Sequence, residues 1–184
     1  MMASCGYRQV VLGLLVMILV CGGVAILAWQ LTKQDILPPP YFRLRDLYGE
    51  PYQHGWGIDL PGYGPTIRFT AVQAHTLKPG SVGHEDGHLA LQGGRIVFSS
   101  AGEGRCLEAV HAGEGAGLDA PLCSNDNLQR WEVVGSGLVR LVTTELCITV
   151  GGQQSQAPAG PLARRDLRIR LCDGDKDQIW DIVE

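Results

Sequence analysis

Positive charge is scarce in this chain. Lysine and arginine number 15 against 19 aspartates and glutamates, a net charge of −4, so no basic field exists to hold a phosphate backbone. Nucleic acid is therefore not an expected partner. Outside one N-terminal segment, no window sustains the apolar period of a long helix. Six cysteines are present, yet the later four lack the C-x₂₋₄-C spacing of a structural zinc site. No nucleophile elbow surrounds Ser99-Ser100, and Gly102-Glu103-Gly104 lacks the strand-to-helix setting of a phosphate loop. With no catalytic constellation, the chain is expected to bind rather than catalyse, and to use no cofactor.

Charge is missing altogether from Val10 to Leu31, 22 residues long enough to cross a hydrocarbon layer of ~30 Å. Trp29 stands near the end of that run, where an amphipathic ring prefers the interface. Three readings compete for it. A cleaved signal peptide wants a shorter apolar core of about 7–15 residues, with Ile26-Leu27-Ala28 as its cleavage site. A lipoprotein signal ending at Cys21 would follow bulky Val20. Length favours the third, an uncleaved anchor over residues 1–32. Arg8 before the run and Lys33, Arg43 and Arg45 after it leave the orientation undecided by charge.

Pro38-Pro39-Pro40 cannot continue a helix and reads as a stiff spacer. Tyr41 to Phe69 then holds seven of the chain's 12 aromatics. Tyr41, Phe42, Tyr48, Tyr52, Trp56 and Tyr63 are candidates for docking a partner, because such rings bury large areas at little entropic cost. Residues 33–65 are thus expected to form a proline- and aromatic-rich arm that carries a degenerate first unit of the domain that follows. From 66 to 184 the pattern changes to short apolar runs cut by glycine. These are Thr66–Val72, His88–Leu91, Arg95–Phe98, Cys106–Val110, Gln129–Val134, Leu138–Val142, Leu146–Val150 and Asp166–Leu171, with a loop at Gln153–Pro161. Runs of that length between Gly-rich connections predict an all-β domain.

The tail of the chain repeats itself. Leu122-Cys123-Ser124-Asn125-Asp126-Asn127-Leu128-Gln129-Arg130-Trp131 aligns without a gap on Leu171-Cys172-Asp173-Gly174-Asp175-Lys176-Asp177-Gln178-Ile179-Trp180, at an offset of 49. Cys106-Leu107-Glu108 answers to Cys147-Ile148-Thr149 at an offset of 41. Residues 94–134 and 135–184 are therefore two copies of one unit, sharing a core that needs neighbours to be buried. Large rings recurring in register belong to that core, so Trp131 and Trp180, with Gln129 and Gln178, are read as structural. Four cysteines allow three pairings, and the repeat favours Cys106–Cys123 with Cys147–Cys172, each copy closing its own loop. Paired cysteines place the domain in an oxidising compartment, outside the cytoplasm.

Gln-x-Trp after a cysteine, once per copy, resembles the ricin B-type lectin β-trefoil. The resemblance covers about residues 94–184 and implies a third unit before residue 94. Its best trace is Trp56-Gly57-Ile58, an echo of Trp131-Glu132-Val133 with His54 at the glutamine position. In the family, sugar binding uses an acid two residues after the first cysteine, an aromatic platform, and an asparagine just before the glutamine. Here the acid position holds Glu108 and Thr149, and Leu128 and Asp177 take the asparagine position. No aromatic lies between Cys106 and Gln129 or between Cys147 and Gln178. Only Glu108 stands as a carbohydrate-binding candidate, and the second copy is not expected to bind galactose.

Pro38-Pro39-Pro40-Tyr41-Phe42-Arg43-Leu44-Arg45-Asp46-Leu47 is similar, more narrowly, to the arm of the C subunit of cytolethal distending toxins, where a triple proline leads into an L-R-x-L strand. Cys147-Ile148-Thr149 and Cys172-Asp173-Gly174 look like the A and C subunits too. That likeness implies a non-enzymatic, cell-binding role beside partner subunits. A glycan or protein ligand outside the membrane is the expectation, with a structural accessory subunit of a membrane complex as the alternative.

His84-Glu85-Asp86-Gly87-His88 matches the zinc-protease pattern H-E-x-x-H. The pattern needs a helix to bring both histidines to one metal. Gly80, Gly83, Gly87, Gly93 and Gly94 make that helix hard to sustain. No metal is expected, and a zinc hydrolase is the least favoured class.

Overall fold

A computed structural model describes residues 41–51, 53–60, 71–77, 89–98, 104–156 and 162–183. All of the described residues belong to one compact unit, Pro38–Glu184. The apolar run Val10–Leu31 lies outside the described residues, among which no helix is long and apolar enough to cross a membrane.

Among the described residues, thirteen strands fall into three sets of four, one strand being broken in two. The first set is β1 (Tyr41–Leu44), β2 (Trp56–Asp59), β3 (Gln73–Thr76) and β4 (Leu89–Gln92). The second is β5 (Arg95–Phe98), β6 (Arg105–Cys106) continued by β7 (Glu108–Ala109), β8 (Leu118–Asp119) and β9 (Trp131–Val134). The third is β10 (Leu138–Leu141), β11 (Leu146–Gln156), β12 (Ala163–Leu171) and β13 (Trp180–Val183). A 3₁₀ turn at Asn127–Gln129 is the one helical element among the described residues.

Strand register makes the three sets equivalent. The last strand of each pairs with the first of the next, matching Leu89 to Phe98, Trp131 to Leu141, and Trp180 to Leu44. Period-two alternation turns Phe42 and Leu44, Ile96 and Phe98, and Val139 and Leu141 inward, where all six are buried. Trp131 and Trp180 join them, with Leu89 in the third place. The chain therefore folds as an all-β trefoil of three units around one core.

Three expectations change here. Within the stretch read as an arm, Tyr41–Leu44 and Trp56–Asp59 are full strands of the eight-stranded sheet. Trp56 is not the counterpart of Trp131 and Trp180. Its neighbour Gly57 pairs with Arg43 as Cys106 pairs with Val97 and Cys147 with Arg140, which puts Trp56 level with Arg105 and Leu146. Residues 153–156, read as loop, continue β11, which pairs with β12 again from Gln154 after a bulge that begins at Val150.

The first unit also lacks a disulfide for a visible reason. Leu77 N–H donates to Gly55 O at 2.9 Å, as Cys123 N–H does to Gly104 O at 3.0 Å and Cys172 N–H to Glu145 O at 2.9 Å. Gly57 and Leu77 thus stand where the other units place their cysteines. A Cβ added to Gly57 would lie 2.5 Å from Leu77 Cδ2, so the leucine fills the space a disulfide would take.

Candidate functional site

The repeated glutamines are hydrogen-bond hubs. Gln129 Nε2 donates to Leu122 O at 3.1 Å and Glu108 Oε2 at 2.7 Å, while its Oε1 accepts from Ser124 N–H at 2.8 Å. Gln178 Nε2 donates to Leu171 O at 2.8 Å and Thr149 Oγ1 at 3.1 Å, and its Oε1 accepts from Asp173 and Gly174 N–H. Trp131 Nε1 donates to Leu107 O and Trp180 Nε1 to Ile148 O. All four side chains are buried with their polar atoms satisfied. Bridges Cys106–Cys123 and Cys147–Cys172 close the loops that these hubs brace.

Glu108 is half-buried, held by Gln129 and set across the strand pair from Asp119. The register exposes a residue that the sequence concealed. Asp59 follows Gly57 as Glu108 follows Cys106, so the first unit has an acid at the same position. Without a cysteine before it, nothing marked it. Asp59 is buried and accepts from Gln73 Nε2 at 3.1 Å, which keeps it from a ligand in solvent.

A pocket of about 780 Å³ opens over the third unit instead. Thr149 and Asp177, the acid and asparagine positions of that copy, line it together with Asp166, Arg168, Arg170 and Tyr48. Its wall is the bulge between Val150 and Gln154, an irregularity that widens the ladder and re-aims the side chains beside it. Gly151 leaves room there for Asp166, because a Cβ would run into the Asp166 carboxylate. Arg168 Nε pairs with Asp166 Oδ2 at 2.5 Å and Arg170 lies 3.9 Å from Glu114. Burial pushes the Asp177 carboxyl above the ordinary carboxylate range, and Asp173 and Asp175 push the same way. The Thr149 hydroxyl is buried and donates to Cys147 O at 3.0 Å, so the groups that face the cavity are acceptor carboxylates, the Arg168 and Arg170 guanidinia and an aromatic ring, a set suited to a hydroxyl-rich ligand.

Of the proposed docking aromatics, Phe42 and Trp56 are fully buried and cannot meet a partner. Tyr41 is half-buried on β1, and Tyr48 reaches the pocket. Tyr52, Tyr63 and the His84–His88 motif lie outside the described residues. Sequence reasoning missed Asp166 and Arg168, which sit on the solvent face of β12 with no motif around them, and it gave Tyr48 no specific place. Asp173, Asp175 and Asp177 bring carboxylate oxygens within 4.8 Å of one another, an exposed acidic cluster that nothing else marks as a cation site.

No family model matches this sequence, and no curated protein matches it. Its fold is nevertheless shared. An agglutinin from Abrus precatorius superposes with a TM-score of 0.57 at 15% identity, over 82% of this chain and 49% of the agglutinin. The chain spans about half the length of that protein. A designed threefold-symmetric protein, ThreeFoil, gives 0.56 at 16% identity over 79% of this chain and 98% of its own. The C-terminal half of an earthworm R-type lectin, solved with GalNAc, gives 0.55 at 13% identity over 79% and 98%. These likenesses define the class of architecture: the fold is the β-trefoil.

Proposed function

We propose that this trefoil is a non-enzymatic, lectin-like binding module that takes a glycan outside the membrane, through the pocket of its third unit. One observation carries the reading. The cavity lies over Thr149 and Asp177, the two positions from which ricin-like trefoils hold sugar. The carboxylate has changed places there. Threonine occupies the acid position, and Asp177 supplies an acceptor from the asparagine position beside Gln178. A carboxylate accepts two hydroxyl hydrogen bonds as readily from one wall as from the other. The two disulfides fit an extracytoplasmic setting, and the apolar run of residues 10–31 fits a membrane anchor.

A toxin-targeting subunit is the finer form of the same reading, supported by the likeness of Pro38–Leu47 to the C-subunit arm. A nuclease gene beside this one would favour it. The main test is an array of immobilised glycans probed with the full chain and with Thr149→Ala and Asp177→Ala variants. The reading expects retention on a subset of glycans and its loss in Asp177→Ala. Absence of binding to every glycan sinks it in favour of a structural accessory subunit.

A further inference from the structure

We propose that the open end of the barrel, ringed by Leu91, Val133 and Ile182, rests on the surface of a lipid bilayer. The inference goes beyond the glycan reading and rests on residues 10–31 being a membrane anchor. Three hairpins define that end. Residues 89–98 turn at Gly93 and Gly94, and residues 131–141 turn at Gly135 to Gly137. The third pair is β13 with β1, where the chain enters at Tyr41 in place of a turn. Threefold equivalence puts both turns and Tyr41 at one end. The inner hairpins β2–β3, β7–β8 and β11–β12 make the other.

The last layer of side chains at the open end is apolar and uncovered. Period-two alternation puts Leu91, Val133 and Ile182 on the same strand face as Leu89, Trp131 and Trp180. They are nevertheless 38%, 39% and 38% exposed, whereas Ile96, Val139 and Phe42, paired with them, are buried. One residue further out, Val134, Leu138, Val183 and Tyr41 are half-buried, and only the pair Gln92 and Arg95 is polar. In a chain of net charge −4, the two outermost pairs of each hairpin thus carry no acid. Glu132 and Asp181 lie one pair further in and are bound to Arg140 at 2.9 Å and Arg45 at 2.7 Å.

The point of chain entry selects lipid as the occupant. Tyr41 opens β1 at this end, and the apolar run closes at Leu31. Residues 32–40 between them span at most ~30 Å when fully extended, so an anchored chain keeps this end close to the bilayer. Tyr41 brings an amphipathic ring to the rim, of the kind that prefers the headgroup region. Leu91, Val133 and Ile182 expose on the order of 200 Å² of apolar surface, a patch that a monomer tolerates in water. That area is too small to hold the domain on lipid unaided. Linkage to an anchor supplies the high effective concentration that makes so small a contact sufficient. Resting there leaves the hairpin of β11 and β12, which lines the third unit's pocket, on the side away from lipid.

The test uses the full chain in phosphatidylcholine vesicles, carrying a nitroxide on Val133→Cys or, at the opposite end, on Gln154→Cys. Both variants also carry Cys5→Ser and Cys21→Ser, so that one thiol takes the label. Flotation with the vesicles first checks the anchor. Relaxation of the nitroxide by oxygen, which concentrates in lipid, is then compared with relaxation by a water-soluble nickel chelate. The expected result is a several-fold higher oxygen-to-nickel ratio at Val133 than at Gln154. Should the Val133 label unfold the domain, labels on Leu91→Cys and Ile182→Cys repeat the measurement from the equivalent positions. A floating chain whose Val133 label meets nickel as freely as the Gln154 label overturns the proposal and leaves the anchor reading standing. So does a Val133 label shielded from both reagents, which gives this end to a protein partner or a second copy. A chain that does not float overturns both.

Discussion

Placing cysteines at Gly57 and Leu77 together should create the disulfide that the first unit lacks. Leu77 Cγ lies 3.3 Å from the position of a Cβ on Gly57. A bridge wants its second sulfur about 3 Å from the first Cβ, given an S–S bond of ~2.04 Å. The backbone is already set, since Leu77 N–H makes the same bond as Cys123 and Cys172 N–H. Closing a loop of this length restricts the unfolded chain by about 3.3 kcal/mol in the chain-entropy treatment. Removing the half-buried Leu77 side chain costs about 1–1.5 kcal/mol of that. A net gain of ~2 kcal/mol remains, which raises Tm by roughly 4–8 °C for a domain of this size. Calorimetry with and without reductant measures the gain, and peptide mass mapping shows the 57–77 cross-link. Persistently free thiols, or a bridge that lowers Tm, would refute the register assigned to the first unit.

Trp131→Ala and Trp180→Ala should each destabilise the domain by about 3–5 kcal/mol in urea unfolding, since each empties a buried indole site in the shared core. Gln178→Ala orphans Asp173 N–H and Leu171 O and should cost roughly 1–3 kcal/mol by the same measurement. Asp177 has a folded-state pKa above its ordinary value, so its ionisation opposes folding as pH rises through that value. Asp177→Asn is therefore expected to raise Tm at pH 7, with the gain fading once the wild-type carboxyl is protonated in acid. A gain that grows toward acid would contradict the burial argument. Gly151→Ala pushes the Asp166 carboxylate out of its place and separates it from Arg168, so glycan retention should fall while Tm changes little.

How far the sequence carries can be seen residue by residue. Trp131 and Trp180 announce themselves because two identical rings in register need one core. The four cysteines pair within copies for the same reason. The first unit is obscure because each of its marks has been replaced in kind: Leu89 for tryptophan, and Gly57 with Leu77 for the cystine. The core positions stay apolar while their chemistry changes, so pattern matching settled on Trp56, the nearest tryptophan, two strands too early. The pocket was harder still. Tyr48 and Asp177 are 129 positions apart and meet only because β1 closes the sheet against β13. A two-residue sugar motif read along one copy cannot register a wall that arrives from another. The bulge at Gly151 leaves a faint trace, a Gly-Gly pair directly after the apolar run Leu146–Val150.

The central claim is that a glycan sits in the third unit's pocket, over Thr149 and Asp177. The most direct measurement is a crystal structure of the protein with lactose or GalNAc. The account predicts a pyranose in the third unit's pocket, its hydroxyls on Asp177. Sugar bound at Glu108 in the second unit, with the third pocket left empty, would contradict it.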